Sequence, residues 1–185
     1  MNLPRIFKAF FRKAALPKST ELRAIIIMQQ KEHLFSAEEL RAAGEYGWEK
    51  KFDGKEDPMY FVNADHPALT VVKAGRHIIR VSCVPSRYAA DDEYALSQLP
   101  QPEQKKAWND HHACAFLELF NDLSNQQENI PDTDAYASLA KLALQLVDSN
   151  CTAIFLPVKN LMMPNDGTAE KGLRFLINKE LPLSD

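Results

Sequence analysis

The chain has 185 residues, enough for one domain with a self-sufficient core. Hydrophobic residues make up 45% and charged residues 25%, values that exclude a disordered or fibrous chain. The formal net charge of −3 is unevenly spread. Residues 1–18 carry Arg5, Lys8, Arg12, Lys13 and Lys18 and no acidic group, which leaves 17 basic against 25 acidic residues for the remainder. An acidic body of this kind does not hold nucleic acid by counterion release, so no nucleic-acid partner is expected.

No apolar run approaches the length of a transmembrane helix; Ala24 to Met28 is typical of the longest. The basic residues near the N-terminus interrupt what a secretory signal would need as a continuous apolar stretch. Cys83, Cys114 and Cys151 are odd in number, widely spaced and set in apolar segments. They read as buried, reduced thiols, and the expected location is cytoplasmic.

In chain order, the first segment places Leu3, Ile6, Phe7, Phe10, Phe11 and Ala14 on one helical stripe and is ended by Pro17. Residues 1–18 are thus read as an amphipathic basic helix, and residues 19–185 as a single domain. The helix can pack on its own domain or on a twin subunit. It can also dock a partner or a membrane surface through Phe7, Phe10 and Phe11 with Lys8 and Arg12 alongside.

Leu22 to Gln29 is rich in isoleucine and predicts a buried strand. Ser36 then caps a helix, with Glu39 three residues on completing a capping box and Phe35 and Leu40 forming a staple. This helix is expected to run to about Glu45, before Gly47. Asp53-Gly54 marks a turn. Three short strands follow, at Tyr60–Val62, Leu69–Val72 and Ile78–Val84. The last has Ile79, Val81 and Cys83 on one face and Arg80 and Ser82 on the other. Ala74-Gly75 supplies the hairpin turn. Residues 85–101, with Pro85 and Pro100 and the acidic Asp91-Asp92-Glu93, predict a long connection.

Pro102 suits the first turn of a helix that reaches Asp110. Ala113 to Phe120 fits either a helix or a buried strand on local grounds. Asn125 to Pro131 is loop. Asp132 is expected to cap a long helix with Tyr136, Leu139, Ala140, Ala143, Leu146 and Val147 on its inner stripe, ended by Asn150. Thr152 to Leu156 predicts a strand stopped by Pro157, Asn165-Asp166-Gly167 a turn, and Ala169 to Phe175 a short helix.

Several stretches carry a resemblance. Val72-Lys73-Ala74-Gly75 precedes Ile79–Val84 and Pro85–Tyr88. Asp110-His111-His112-Ala113 leads into Phe116-Leu117-Glu118, Asp148 runs to Pro157, and Met163-Pro164-Asn165-Asp166 precedes Leu173-Arg174. In order and spacing, over roughly residues 20–176, the chain resembles a bacterial domain family of unknown function, of the domain of unknown function 4261 type. The resemblance implies a strand at Ala113–Phe120 and supplies no activity or site residues; the pattern departs after Arg174. The expected fold is therefore α+β: a mixed, mainly antiparallel sheet with helices packed on one face and the amphipathic helix in front. A strand–helix–strand crossover is expected between Ala113–Phe120 and Thr152–Leu156.

The chemistry-bearing motifs are few. There is no phosphate-binding glycine loop, no H-E-x-x-H, no C-x-x-C and no G-x-S-x-G. No cofactor is expected. His111 and His112 would face opposite ways on a strand, and His33, His66 and His77 fall in separate segments, so no metal is expected. His111 with Glu118, or with a carboxylate of the 91–92 loop, forms a candidate acid–base pair. The alternative is a histidine that caps backbone groups. Cys83 or Cys114 would be a nucleophile only if a histidine activated it. Arg80 is a candidate anion contact, and Arg87 and Tyr88 are candidate ligand contacts at the start of the long loop.

The reading favoured on these grounds is a non-catalytic binding or protein-interaction module, with an unidentified protein partner or self-association. The alternatives are a hydrolase-like enzyme using His111 and a membrane-surface protein using residues 1–18.

Overall fold

The computed structural model describes residues 23–66, 69–89, 92–120 and 130–179. The amphipathic segment at residues 1–18 lies outside them. So do residues 67–68, 90–91, 121–129 and those beyond 179.

The isoleucine-rich run forms strand β1 (Ala24–Gln29), and every one of its six residues is buried. It lies at the centre of the sheet. On one side it pairs with β5 (Ala113–Phe120), on the other with β6 (Cys151–Leu156), both antiparallel. The remaining strands are β2 (Tyr60–His66), β3 (Leu69–Ala74), β4 (His77–Val84) and β7 (Leu161–Pro164). The order across the sheet is β2-β3-β4-β5-β1-β6-β7, with every neighbouring pair antiparallel. The α+β class holds, and Ala113–Phe120 is a strand. The crossover from β5 to β6 also forms, but β1 is inserted between them. Strand β7 went unread because its four residues, Leu-Met-Met-Pro, are too short to show a period.

The alternation of β1 divides the molecule into two apolar layers. Ile25 and Ile27 face a large core built with α1 (Ala37–Trp48), α4 (Asp132–Leu146) and α5 (Thr168–Ile177). Ile26 and Met28 face a smaller cluster with Trp108 and Ala107 of α3 (Pro102–Asp110) and Ala95 and Leu96 of α2 (Asp92–Gln98). The three long helices do share one face, as expected. The opposite face is covered too, but only in part, because the stretch 85–101 contains α2 rather than an open connection.

Local signals act largely as the sequence implies. Ser36 Oγ accepts from Glu39 N–H at 3.1 Å and Glu39 Oε2 accepts from Ser36 N–H at 2.7 Å, closing the capping box. The hairpin between β3 and β4 turns on Gly75-Arg76, one residue later than expected, with Ala74 opposite His77 and Gly75 at φ 59°. Two helix ends differ. Helix α4 begins after Pro131, and Asp132 makes no capping bond; its carboxylate instead meets Arg23 Nε at 2.9 Å, ahead of β1. Asp134 of the same helix accepts from Arg76 of the hairpin and Lys179 beyond α5. The Lys179 bond is the chief reason its carboxyl stays below the ordinary range.

Helix α1 passes through Gly44 and Gly47 to Trp48 instead of stopping before Gly47. Both glycines permit close approach. A Cβ at Gly47 would stand 3.3 Å from the Lys141 carbonyl of α4, and one at Gly44 would stand 2.8 Å from the ring of fully buried Phe52. Gly44→Ala should therefore lower stability by about 1–3 kcal/mol from overpacking, despite the gain of about 1 kcal/mol in helix propensity. A urea midpoint equal to or above that of the parent would show that the Phe52 ring yields freely.

Candidate functional site

Of the residues singled out from sequence, His111, Arg87 and Tyr88 meet at one corner of the second face and are engaged by packing, Arg80 and Glu118 stand elsewhere on that face, and Phe7, Lys8, Phe10, Phe11 and Arg12 lie outside the described residues. His111 ends α3 just before β5 and is fully buried. Its Nδ1 donates to the Trp108 carbonyl at 2.5 Å, and its Nε2 accepts from Tyr88 N–H at 3.1 Å. A ring that donates at one nitrogen and accepts at the other is a neutral imidazole bound to backbone on both sides. The Trp108 carbonyl also accepts from Arg87 Nη2, at 2.5 Å. Tyr88 stacks edge-on against Trp108 and Phe155, with Phe116 beside it, and burial pushes its phenol up to about 12. Arg87 and Tyr88 thus pin the start of the long loop to α3 and the sheet.

His111 and Glu118 are not brought together. From Ala113 to Glu118 the extended strand takes five residue steps, about 17 Å of rise. Glu118 instead pairs across strands with Arg80, its register partner on β4. Arg80 Nε donates to Glu118 Oε2 at 2.6 Å, a second guanidinium nitrogen reaches the same oxygen, and the Arg80 carbon sits 4.6 Å from the centre of the Phe120 ring. Arg80 does project away from the main core, as its alternation requires, but its charge is already matched. Of the carboxylates offered by the 91–92 loop, neither side chain falls among the described residues.

Around that ion pair lies an uncovered part of the sheet. Cross-strand register aligns Phe120, Ile78, Lys73 and Phe61 in one row. Glu118, Arg80, Val71 and Asn63 form the next, and Phe116, Ser82 and Leu69 a third. The apolar cluster beneath α2 and α3 includes Phe116 but none of the others, and Leu69 and Phe120 are 41% and 40% exposed. Among the described residues, α3 packs chiefly on β6 and β7 and over the centre of β1, and the cluster beneath α2 and α3 takes in no residue of β2, β3 or β4, so that half of this face has no substantial helical cover.

A second feature was not read from sequence. Between α1 and the C-terminal end of α4 opens a cleft of about 410 Å³. Phe35, Ala43 and Leu146 form its apolar floor, and His33, Glu39, Tyr46, Gln145 and Asp148 its rim. His33 Nε2 and Glu39 Oε1 are 2.9 Å apart. The Glu39 carboxyl is held below its ordinary value chiefly by the Ser36 N–H. Glu39 was legible only as a cap, and Tyr46, Gln145 and Asp148 carry no local signal because tertiary packing alone joins them.

The cysteines are free. Burial raises the thiols of Cys114 and Cys151 to about 12 and raises Cys83 as well. Among the described residues no group of three or more histidine, cysteine or acidic side chains is placed to hold a metal ion. None of the described helices is long and apolar enough to cross a membrane. The class that fold and side chains define is thus a seven-stranded antiparallel α+β sheet with a large three-helix layer on one face and partial cover on the other. No protein-family model, no curated protein and no solved structure matches the chain.

Two outcomes follow. A thiol-exchange reagent at pH 8 should modify only half-buried Cys83 in the folded chain, and slowly, with Cys114 and Cys151 reacting once urea unfolds it. Rapid modification of all three without denaturant would contradict this burial. In a double-mutant cycle, Glu118→Leu alone should cost about 1–3 kcal/mol by stranding the Arg80 charge. That figure is reduced by the partial exposure of Arg80. The paired change with Arg80→Met should recover most of it. Strictly additive losses would mean that the pair contributes nothing as a unit.

Proposed function

We propose that the protein is a non-catalytic interaction module and that the uncovered half of its sheet is the docking face. The observation that carries this reading is the face itself: Phe61, Leu69, Val71, Ile78 and Phe120 surround a satisfied Arg80–Glu118 pair, with no described helix over them. An ion pair whose two members satisfy each other offers no general acid or base, and buried His111, at the far end of β5, is bound to backbone at both ring nitrogens. The resemblance to the family of unknown function adds no reaction.

The occupant we assign is the amphipathic stripe Leu3–Ala14 of a chain of this kind. Two arguments support it. The N-terminal segment joins the fold at the corner of this face: Leu119 N–H donates to Arg23 O at 2.9 Å, and Ala24 pairs with Glu118 in the same row as Arg80 and Val71. Taken as the helix its sequence predicts, the twelve-residue stripe is about 18 Å long and 10–12 Å across. The face from β5 to β2 is about 14 Å wide, room for one helix. Docked within one chain, the stripe keeps the face closed until a partner displaces it; docked between two copies, it joins them.

A photoreactive phenylalanine analogue in place of Leu69, in the otherwise intact chain, tests this. The expected cross-links run to residues 3–14, and a charged substitution, Ile78→Asp, should abolish them while the far-ultraviolet circular dichroism stays unchanged. Isotope-mixed chains then report whether the stripe comes from the same copy or a second one. Cross-links that fall elsewhere, to vesicle lipid for instance, or that form no specific product, overturn the assignment.

A further inference from the structure

We propose that the cleft between α1 and the end of α4 is a binding site for a small organic cation, a protonated amine carried on an apolar or aromatic body. The proposal is independent of the docking face, which lies on the opposite side of the sheet. At about 410 Å³ the cleft falls within the range of roughly 300–1,000 Å³ of small-molecule sites. Its parts match the two ends of such a ligand. Phe35 and Leu146 belong to the main core and present an apolar floor. Above them stand two carboxylates from separate elements, Glu39 in the first turn of α1 and Asp148 just past α4.

Among the described residues no lysine or arginine lines the cleft, and His33, the basic side chain on its rim, pairs with Glu39 and leaves the Asp148 carboxylate without a basic partner in the cleft. Glu39 is fixed in place, because one oxygen accepts from Ser36 N–H and the other meets His33. Asp148 is fixed likewise, its Oδ1 accepting from Asn150 N–H at 2.9 Å. Tyr46 is the third element. It is 75% exposed, an unusual position for a large aromatic side chain, and it stands on the cleft wall one turn beyond Ala42 and Ala43. The two carboxylates attract a cation by direct charge, and a ring that comes within about 6 Å of that cation adds the attraction of its quadrupole. An anion would meet repulsion from both carboxylates, and a neutral ligand would gain only the floor. The site therefore selects by charge.

The experiment uses the full chain and three probes of one shape: 2-phenylethylamine, 2-phenylethanol and phenylacetate. Binding is read by calorimetry and by the shift of the Tyr46 ring resonances. The amine should bind at least tenfold more tightly than the alcohol, and phenylacetate should not bind. Glu39→Gln keeps an acceptor for the Ser36 N–H, and Asp148→Asn keeps one for Asn150, so both variants should fold. Each should weaken the amine about tenfold while leaving the alcohol unchanged. Tyr46→Leu keeps the apolar bulk and should also weaken the amine selectively. Equal binding of amine and alcohol overturns the proposal. So does no amine binding at millimolar concentration, or unchanged amine affinity in both charge variants. Loss of amine binding with loss of the thermal transition is a folding defect, and the Tyr46→Leu variant, which touches no capping bond, then decides.

Discussion

The structure depends on a strand with no exposed side. β1 is paired on both edges and buried on both faces, so each of its six residues is enclosed by chain distant in sequence. That placement dictates much of the rest. An Ala-Ile-Ile-Ile-Met run has no polar alternate positions, and it is stable in a sheet only where apolar layers lie above and below. The three-helix layer provides one of them. The other must exist at least over the centre of the sheet, and α3 with Trp108, helped by α2, supplies it over β1, β6 and β7. Cover is required where β1 lies and not at β2–β4, whose outer residues are mixed in polarity. The partial covering of the second face is thus a consequence of where the central strand sits.

The corner around His111 follows from the same requirement. To bring α3 over β1 and β6, the chain must leave β4, cross the sheet through residues 85–101, and return into β5 beside its own starting point. The crossing buries backbone groups that no ladder can satisfy. His111 satisfies two of them at once, giving its proton to the Trp108 carbonyl and accepting from Tyr88 N–H, while Arg87 reaches the same carbonyl. A buried imidazole used in this way is a backbone bridge. It serves the role that a capping reading of the Asp-His-His sequence assigned to it, and its two nitrogens have no capacity left for proton transfer without breaking the corner.

What could be read from sequence divides along the same physical line. Signals that act within a few residues were legible: the Ser36–Glu39 capping box, the alternation of Ile79, Arg80 and Val81, the inner stripe of α4, and the turn at Asn165-Asp166-Gly167. Signals that compete with a tertiary partner misled. Asp132 looks like a helix cap but serves Arg23, and Gly47 looks like a helix stop but serves the approach of α1 to Lys141. The site residues show the contrast most clearly. Arg80 and Glu118 were each singled out for separate tasks, and only the β4–β5 register reveals that they satisfy each other. The cleft was invisible because Glu39 and Asp148 are more than a hundred residues apart, and nothing in the sequence of either marks the other.

The two proposed surfaces stand on opposite sides of one stack. The cleft opens between α1 and the end of α4; α1 packs on β2 and β3; and the other face of those strands is the uncovered one. The layers between them are closely packed: a Cβ at Gly44 of α1 would stand 2.8 Å from the Phe52 ring, and Phe52 is in turn edge-on to Tyr60 at the start of β2. Strand β2 thus rests on α1 through two aromatic side chains, Phe52 and Tyr60, while β1 is held by burial on both faces. Each surface therefore owes its position to the same sheet: the helices that its large core requires build the cleft, and the half of the opposite face that needs no cover is left open.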